Sequence, residues 1–144
     1  MVAKVRHAEV SVDTRLPDMT VSVSRLALLL FGGQTMRLDF AAPHWSQRLA
    51  KAAGYPDLVL QGPFTLAKTL EIINSWTGDP GAIIEHEIRL VRAITVPDDE
   101  IGAVLNLSGT VTEKDDHNGV VVQVVATSPE QQVLAKLRAR VRLA

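Results

Sequence analysis

Gly62-Pro63-Phe64-Thr65-Leu66-Ala67-Lys68-Thr69-Leu70-Glu71-Ile72-Ile73-Asn74-Ser75-Trp76-Thr77-Gly78 is the stretch on which the architecture turns. Phe64, Ala67, Leu70 (or Glu71) and Ile73 recur at helical spacing beside Leu66 and Ile72. That periodicity predicts a helix over 64–76, apolar around most of its circumference and therefore buried. Proline suits a first helical turn, where its missing N–H costs nothing. Gly78-Asp79-Pro80-Gly81 ends the element.

On the carboxy-terminal side of this helix the chain reads as strands. Residues 82–92 alternate, with Ile84, His86, Ile88 and Leu90 on one face and Glu85, Glu87 and Arg89 on the other. Pro97-Asp98-Asp99-Glu100 is a polar turn, and 103–112 is the next strand. Asp115-Asp116-His117-Asn118-Gly119 predicts a hairpin, since Asn-Gly supplies the left-handed residues of a tight turn. Residues 120–127 are rich in valine. Residues 133–143 alternate apolar and mostly basic positions, a strand with one dry and one wet face. Four such strands in sequence predict an antiparallel meander. On the amino-terminal side, 26–31 and 46–53 read as shorter helices, and 9–12 or 19–23 as one further strand. The expected fold is α+β: one long central helix wrapped by an antiparallel sheet, with residues 1–144 forming one domain.

Composition narrows the function. The 144 residues include 47% hydrophobic and 22% charged, with 15 basic against 16 acidic side chains and a net charge of −1. That balance excludes disorder and gives no electrostatic reason to expect nucleic acid. The absence of cysteine excludes a disulfide framework, a thiolate metal site and a cysteine nucleophile. The longest apolar run, Leu26 to Phe31, is too short for a membrane span, which needs about 20 residues. Lys4, Arg6, His7 and Glu9 interrupt any signal-peptide core. The expectation is a cytoplasmic domain acting on a small molecule, without membrane or nucleic-acid partners.

Chemistry concentrates between Arg37 and Gly62. Asp39 and His44 lie five apart around Phe40-Ala41-Ala42-Pro43, a spacing that favours a turning loop over a helix. Such a loop can bring a carboxylate and an imidazole to one water molecule, the minimum for general acid–base work. Taken alone, a surface hydrogen bond or a loop cap explains the pair better than catalysis does. Gly62 sits where the helix begins, so its N–H belongs to the positive end of the helix dipole, and the lack of a side chain lets a ligand approach. An amide there is suited to a carbonyl oxygen that gains negative charge.

Asp39-Phe40-Ala41-Ala42-Pro43-His44, followed by Ala50, resembles the hydratase motif of the MaoC-like hot-dog-fold enoyl-CoA hydratases, which reads Asp-x-Asn-Pro-x-His with a small residue six further on. Gln61-Gly62-Pro63 resembles the His-Gly segment that opens that family's central helix, and Ser108-Gly109-Thr110-Val111-Thr112 a recurrent strand. Within the family the likeness is greatest to the small single-hot-dog subunits of hydratases acting on steroid side-chain enoyl-CoA thioesters. There too Asn-Pro is missing, and a Trp-x-Gly like Trp76-Thr77-Gly78 follows the helix. The resemblance implies a hot-dog fold and reversible addition of water to a trans-2-enoyl-CoA. It implies Asp39 and His44 as the catalytic pair and the Gly62 amide, with Gln61 beside it, at the thioester oxygen. The CoA thioester is substrate, and no cofactor is implied. Ala41, Ala42 and Gln61 depart from the family pattern. A thioesterase on the same scaffold, or a subunit active only with a second hot-dog chain, are the alternatives.

Arg37 and Arg48 are candidate contacts for the CoA phosphates. Lys136, Arg138, Arg140 and Arg142 read as a solvated strand face, with phosphate contact as the alternative. His86 reads as a core or dimer-interface histidine rather than a metal ligand. No His/Asp/Glu set has ligand spacing, so no metal is expected. A hot-dog sheet leaves an edge strand unpaired, which predicts a homodimer or a heteromer.

Overall fold

The computed structural model describes residues 3–35 and 42–144. In chain order the elements are β1 (Met19–Val23), α1 (Arg25–Thr35), α2 (Gln47–Ala52), α3 (Gly62–Thr77), β2 (Ile83–Leu90), β3 (Ala103–Lys114), β4 (Gly119–Thr127) and β5 (Val133–Arg142). The five strands form one antiparallel sheet in the order β1-β3-β4-β5-β2, and α3 packs against it. The α+β layout expected from the sequence is what forms.

One expectation about the strands needs correction. Only β3, β4 and β5 run as a meander; β2 crosses to the far edge and pairs with β5, with Ile88 opposite Leu137 and Leu90 opposite Ala135. Alternation shows which face a residue occupies but not which strand lies beside it, so period 2 alone cannot reveal a crossover. Of the two candidate amino-terminal strands, 19–23 is β1, pairing Val21 with Leu105, whereas His7–Glu9 is a single 3-10 turn.

The hairpin between β3 and β4 follows its sequence signal. Asn118 takes a left-handed φ of 62°, and Asp115 Oδ1 accepts from the His117 and Gly119 amides at 2.7 and 2.8 Å. In β5 the alternation is realised fully: Leu137, Ala139 and Val141 are buried while Lys136, Arg138, Arg140 and Arg142 are exposed.

The helix stripe differs from the expected one. α3 buries Thr65, Thr69, Ile72, Ile73 and Thr77, while Ala67 is exposed and Phe64 and Leu70 are half-buried. Each buried threonine satisfies its hydroxyl on the helix itself: Thr65 on the Gln61 carbonyl, Thr69 on Leu66 and Thr65, Thr77 on Ile73. The hydroxyl's hydrogen bond is thus made internally, and the methyl is free to pack on the sheet.

Candidate functional site

The run Asp57-Leu58-Val59-Leu60 is the spine of the site. On one side the Val59 amide donates to the Pro43 carbonyl at 3.0 Å. On the other, Leu60 N–H donates to Ile94 and Val96 N–H to Leu58, each at 2.8 Å. Two residues beyond Leu60 the chain enters α3 at Gly62. One short extended segment therefore ties the His44 turn, the 94–96 strand-like segment and the start of the central helix into one unit.

His44 ends the 3-10 turn Ala42–His44 and is half-buried. Its Nδ1 lies 2.5 Å from the Val59 carbonyl oxygen. A carbonyl only accepts, so Nδ1 carries the proton and Nε2 keeps its lone pair available as a base. Asp39 and Arg37 lie outside the described residues.

At the α3 start the amides are unequal. Phe64 and Thr65 N–H both donate to the Gln61 carbonyl, at 3.1 and 3.2 Å, and Pro63 has none. The Gly62 N–H has no partner among the described residues. Among the described residues it is the donor of the first turn left without an acceptor, at the positive end of a 16-residue helix. A groove of about 260 Å³ opens beside it, lined by Gly62, Val59, Tyr55, Leu90 and Arg92 among others. A Cβ added at Gly62 would meet Leu90 Cδ1 at 2.7 Å, so glycine keeps that wall open.

Gln61, the N-cap of α3, is 1% exposed. Its Nε2 donates to the Leu28 carbonyl of α1 at 3.1 Å, in a space that Gly32 leaves free. Its Oε1 is buried without a partner. An unsatisfied buried acceptor costs about 1–3 kcal/mol, and Gln61 stands outside the groove lining.

A polar clasp holds the spine's first residue. Arg25, at the start of α1, donates to Asp57 Oδ2 at 2.7 Å and to the Val96 carbonyl at 3.2 Å, and lies 3.3 Å from Asp98. Asp57 Oδ1 accepts from its neighbour Leu58 at 2.7 Å and from Gln47 at 3.3 Å. The Leu58 amide, with the Arg25 charge assisting, holds the Asp57 carboxyl below the usual range. Asp98, expected only as a turn residue, is part of this clasp because the 94–98 segment folds back on α1.

The remaining candidates fall elsewhere. Arg48 is exposed on α2 and does not line the groove. The basic ladder of β5 lies on the sheet face away from the core, where Arg138 meets Glu113 at 3.0 Å and Arg140 meets Asp115 at 3.2 Å. That favours its reading as a solvated face. His86 is exposed, not a core residue: it shares the inward face with Ile88, but β2 is an edge strand that reaches past the helix covering that face. Ile84, Leu90 and Val91 on the same edge are 52%, 52% and 44% exposed. Tyr55 and Arg92 were not legible as site residues, since no spacing in the sequence links them to Gly62. Among the described residues no helix is long and apolar enough to cross a membrane.

Comparison with solved structures places this architecture. A MaoC-like dehydratase superposes with a TM-score of 0.87 at 25% identity, over 96% of this chain. The chain spans only 42% of that protein's length. R-hydratase PhaJ1 from Pseudomonas aeruginosa gives 0.82 at 19% identity, covering 99% of this chain and 87% of that one. The ChsH1-ChsH2 complex from Mycobacterium tuberculosis gives 0.78 at 18% identity, covering 93% and 98%. No protein-family model matches the chain, and no curated protein does. The fold is the hot-dog fold, and its structural neighbours are MaoC-like dehydratases and hydratases.

Proposed function

We propose that the chain is a hydro-lyase that adds water to a trans-2-enoyl-CoA, and removes it from the 3-hydroxyacyl thioester in reverse. The observation that carries this reading is the spine itself. It fixes the His44 imidazole through the Val59 carbonyl, three residues before an unpartnered amide at a groove. Solved neighbours that are R-hydratases and MaoC-like dehydratases support the same class.

In the forward direction the water oxygen bonds to C3 of the enoyl group. Asp39 and His44 hold that water, take one of its protons and return a proton to C2. Between those events negative charge collects on the thioester oxygen, where the Gly62 N–H receives it; the donor is already oriented, so little reorganisation is needed.

Purified protein is expected to bleach the enoyl absorbance of a 2-enoyl-CoA. His44→Gln should lower turnover about 10²–10⁴-fold with little loss of folded stability, and Asp39→Asn likewise. Rates near wild type in both variants would eliminate the mechanism.

The exposed edge of β2 supports a second element of the proposal, a homodimer or a heteromer with another hot-dog subunit. An unpaired strand carrying Ile84 and Leu90 half exposed is suited to a second chain. A monomeric mass by sedimentation at micromolar concentration would exclude it.

A further inference from the structure

We infer that Arg92 is a specificity-determining residue of the groove, receiving the phosphate of the substrate's carrier arm rather than any part of the acyl group. This rests on the hydro-lyase reading above and names the cation that the sequence assigned to Arg37 or Arg48. Of the side chains lining the groove beside Gly62, Arg92 is the one that carries a charge; no carboxylate shares the lining. Arg92 has no acidic partner among the described residues. Arg25, Arg138 and Arg140 meet acids, at Asp57, Glu113 and Asp115, whereas Arg48, Arg89 and Arg142 have no acidic partner among the described residues either, so it is the place in the groove that singles out Arg92.

Its position is set by the backbone. Val91 and Arg92 N–H both donate to the Leu134 carbonyl, at 2.8 and 3.2 Å, where the chain leaves β2 and turns over the start of β5. Two residues later the Ile94 carbonyl accepts from Leu60, so the strip carrying Arg92 is tied to the spine that leads into Gly62. The groove lining therefore combines a neutral hydrogen-bond donor at Gly62, apolar side chains at Val59, Leu60 and Leu90, and one exposed guanidinium that has no acidic partner among the described residues. That sequence of groups complements a thioester carbonyl, a neutral arm and a terminal anion. The anion has two possible sources, a carrier phosphate or a carboxylate on the acyl group; the proposal commits to the first, and comparing two carriers tells them apart.

The test measures kcat/KM for one enoyl group on two carriers: CoA, which has phosphates, and N-acetylcysteamine, which has none. In Arg92→Glu the CoA-to-cysteamine ratio should fall about tenfold or more, mainly through KM, with Arg92→Lys between it and wild type. An unchanged ratio overturns the assignment. A fall for both thioesters alike also overturns it, by moving the anion to the acyl end, and so does a fall in Arg48→Glu without one in Arg92→Glu. If wild type hydrates neither thioester, the hydro-lyase reading has failed. Calorimetric binding of CoA then decides the assignment separately: affinity weakened about tenfold in Arg92→Glu upholds it, while no binding by wild type, or equal binding by both, ends it.

Discussion

At its carboxy-terminal end α3 closes on itself. Gly78 turns left-handed at φ 68°, its N–H returns to the Asn74 carbonyl at 2.8 Å, and the Lys4 N–H takes the Thr77 carbonyl at 2.7 Å. The Thr77 hydroxyl donates inward and accepts from Asp79 N–H. At the amino-terminal end the same helix leaves the Gly62 N–H and the Gln61 Oε1 without partners among the described residues, one residue apart. Helix ends inside proteins are ordinarily satisfied by caps, turns or water. One end here follows that rule and the other departs from it, and the departure lies beside the groove, three residues after the Val59 carbonyl that holds His44, a residue outside the groove lining. Glycine serves both ends for different reasons: Gly78 for a backbone angle, Gly62 for space.

That contrast is breakable by the same substitution made twice. Gly62→Ala adds a methyl that meets only the tip of Leu90, a half-exposed side chain free to turn away. Folded stability should change by less than about 1 kcal/mol. The displaced wall sits where a thioester would lie, so kcat/KM should fall about 100-fold, as for a misplacement of about 1 Å. A loss of thermal stability with unchanged turnover would make this end as structural as the other.

Gly78→Ala should do the reverse. A left-handed φ costs a non-glycine residue about 1–2 kcal/mol, and the new Cβ would meet the Lys4 side chain at 2.8 Å. Denaturant unfolding should show that loss while turnover at saturating substrate stays at the wild-type level, because nothing at this end faces the groove. A variant that unfolds normally but turns over slowly would tie the two ends together and spoil the contrast.

The ends of α3 were legible because Gly62-Pro63 and Gly78 act through local backbone geometry, which a sequence states directly. The β5 alternation was legible for a similar reason, since one face of that strand meets the core and the other meets water. The buried stripe of α3 was not. Thr65, Thr69 and Thr77 count as polar in any pattern, yet each cancels its own polarity on the carbonyl one turn back. For His86 only the core alternative fails, because an inward face is buried only as far as something covers it. Within the candidate site, the turn position of His44 and the helix-start position of Gly62 could be read from the sequence. Arg92, Tyr55 and the Arg25–Asp57 clasp did not, because they come together only through pairings between segments far apart in sequence. The expectation for Asp39 falls outside the described residues.

The smallest expected effect probes how the amino-terminal end is held open. Asp57 anchors the spine, and its carboxyl is held below the usual range chiefly by the Leu58 amide, with Arg25 and Gln47 adding to it. A carboxylate with a depressed folded value contributes stability above its unfolded pKa of about 3.9 and loses it as pH falls through the folded value. Wild type should therefore lose this contribution below about pH 4, whereas Asp57→Asn should lack it at every pH. The two unfolding curves should differ at neutral pH by about 1 kcal/mol, the worth of a partly exposed charged hydrogen bond, and converge in acid. Asp57→Asn should also raise KM more than it lowers kcat, since a loosened spine moves Val59 and Gly62 without removing either. Parallel curves down to acid pH would mean that the carboxylate charge is idle and that backbone pairing with Pro43 and Ile94 alone keeps the site in register.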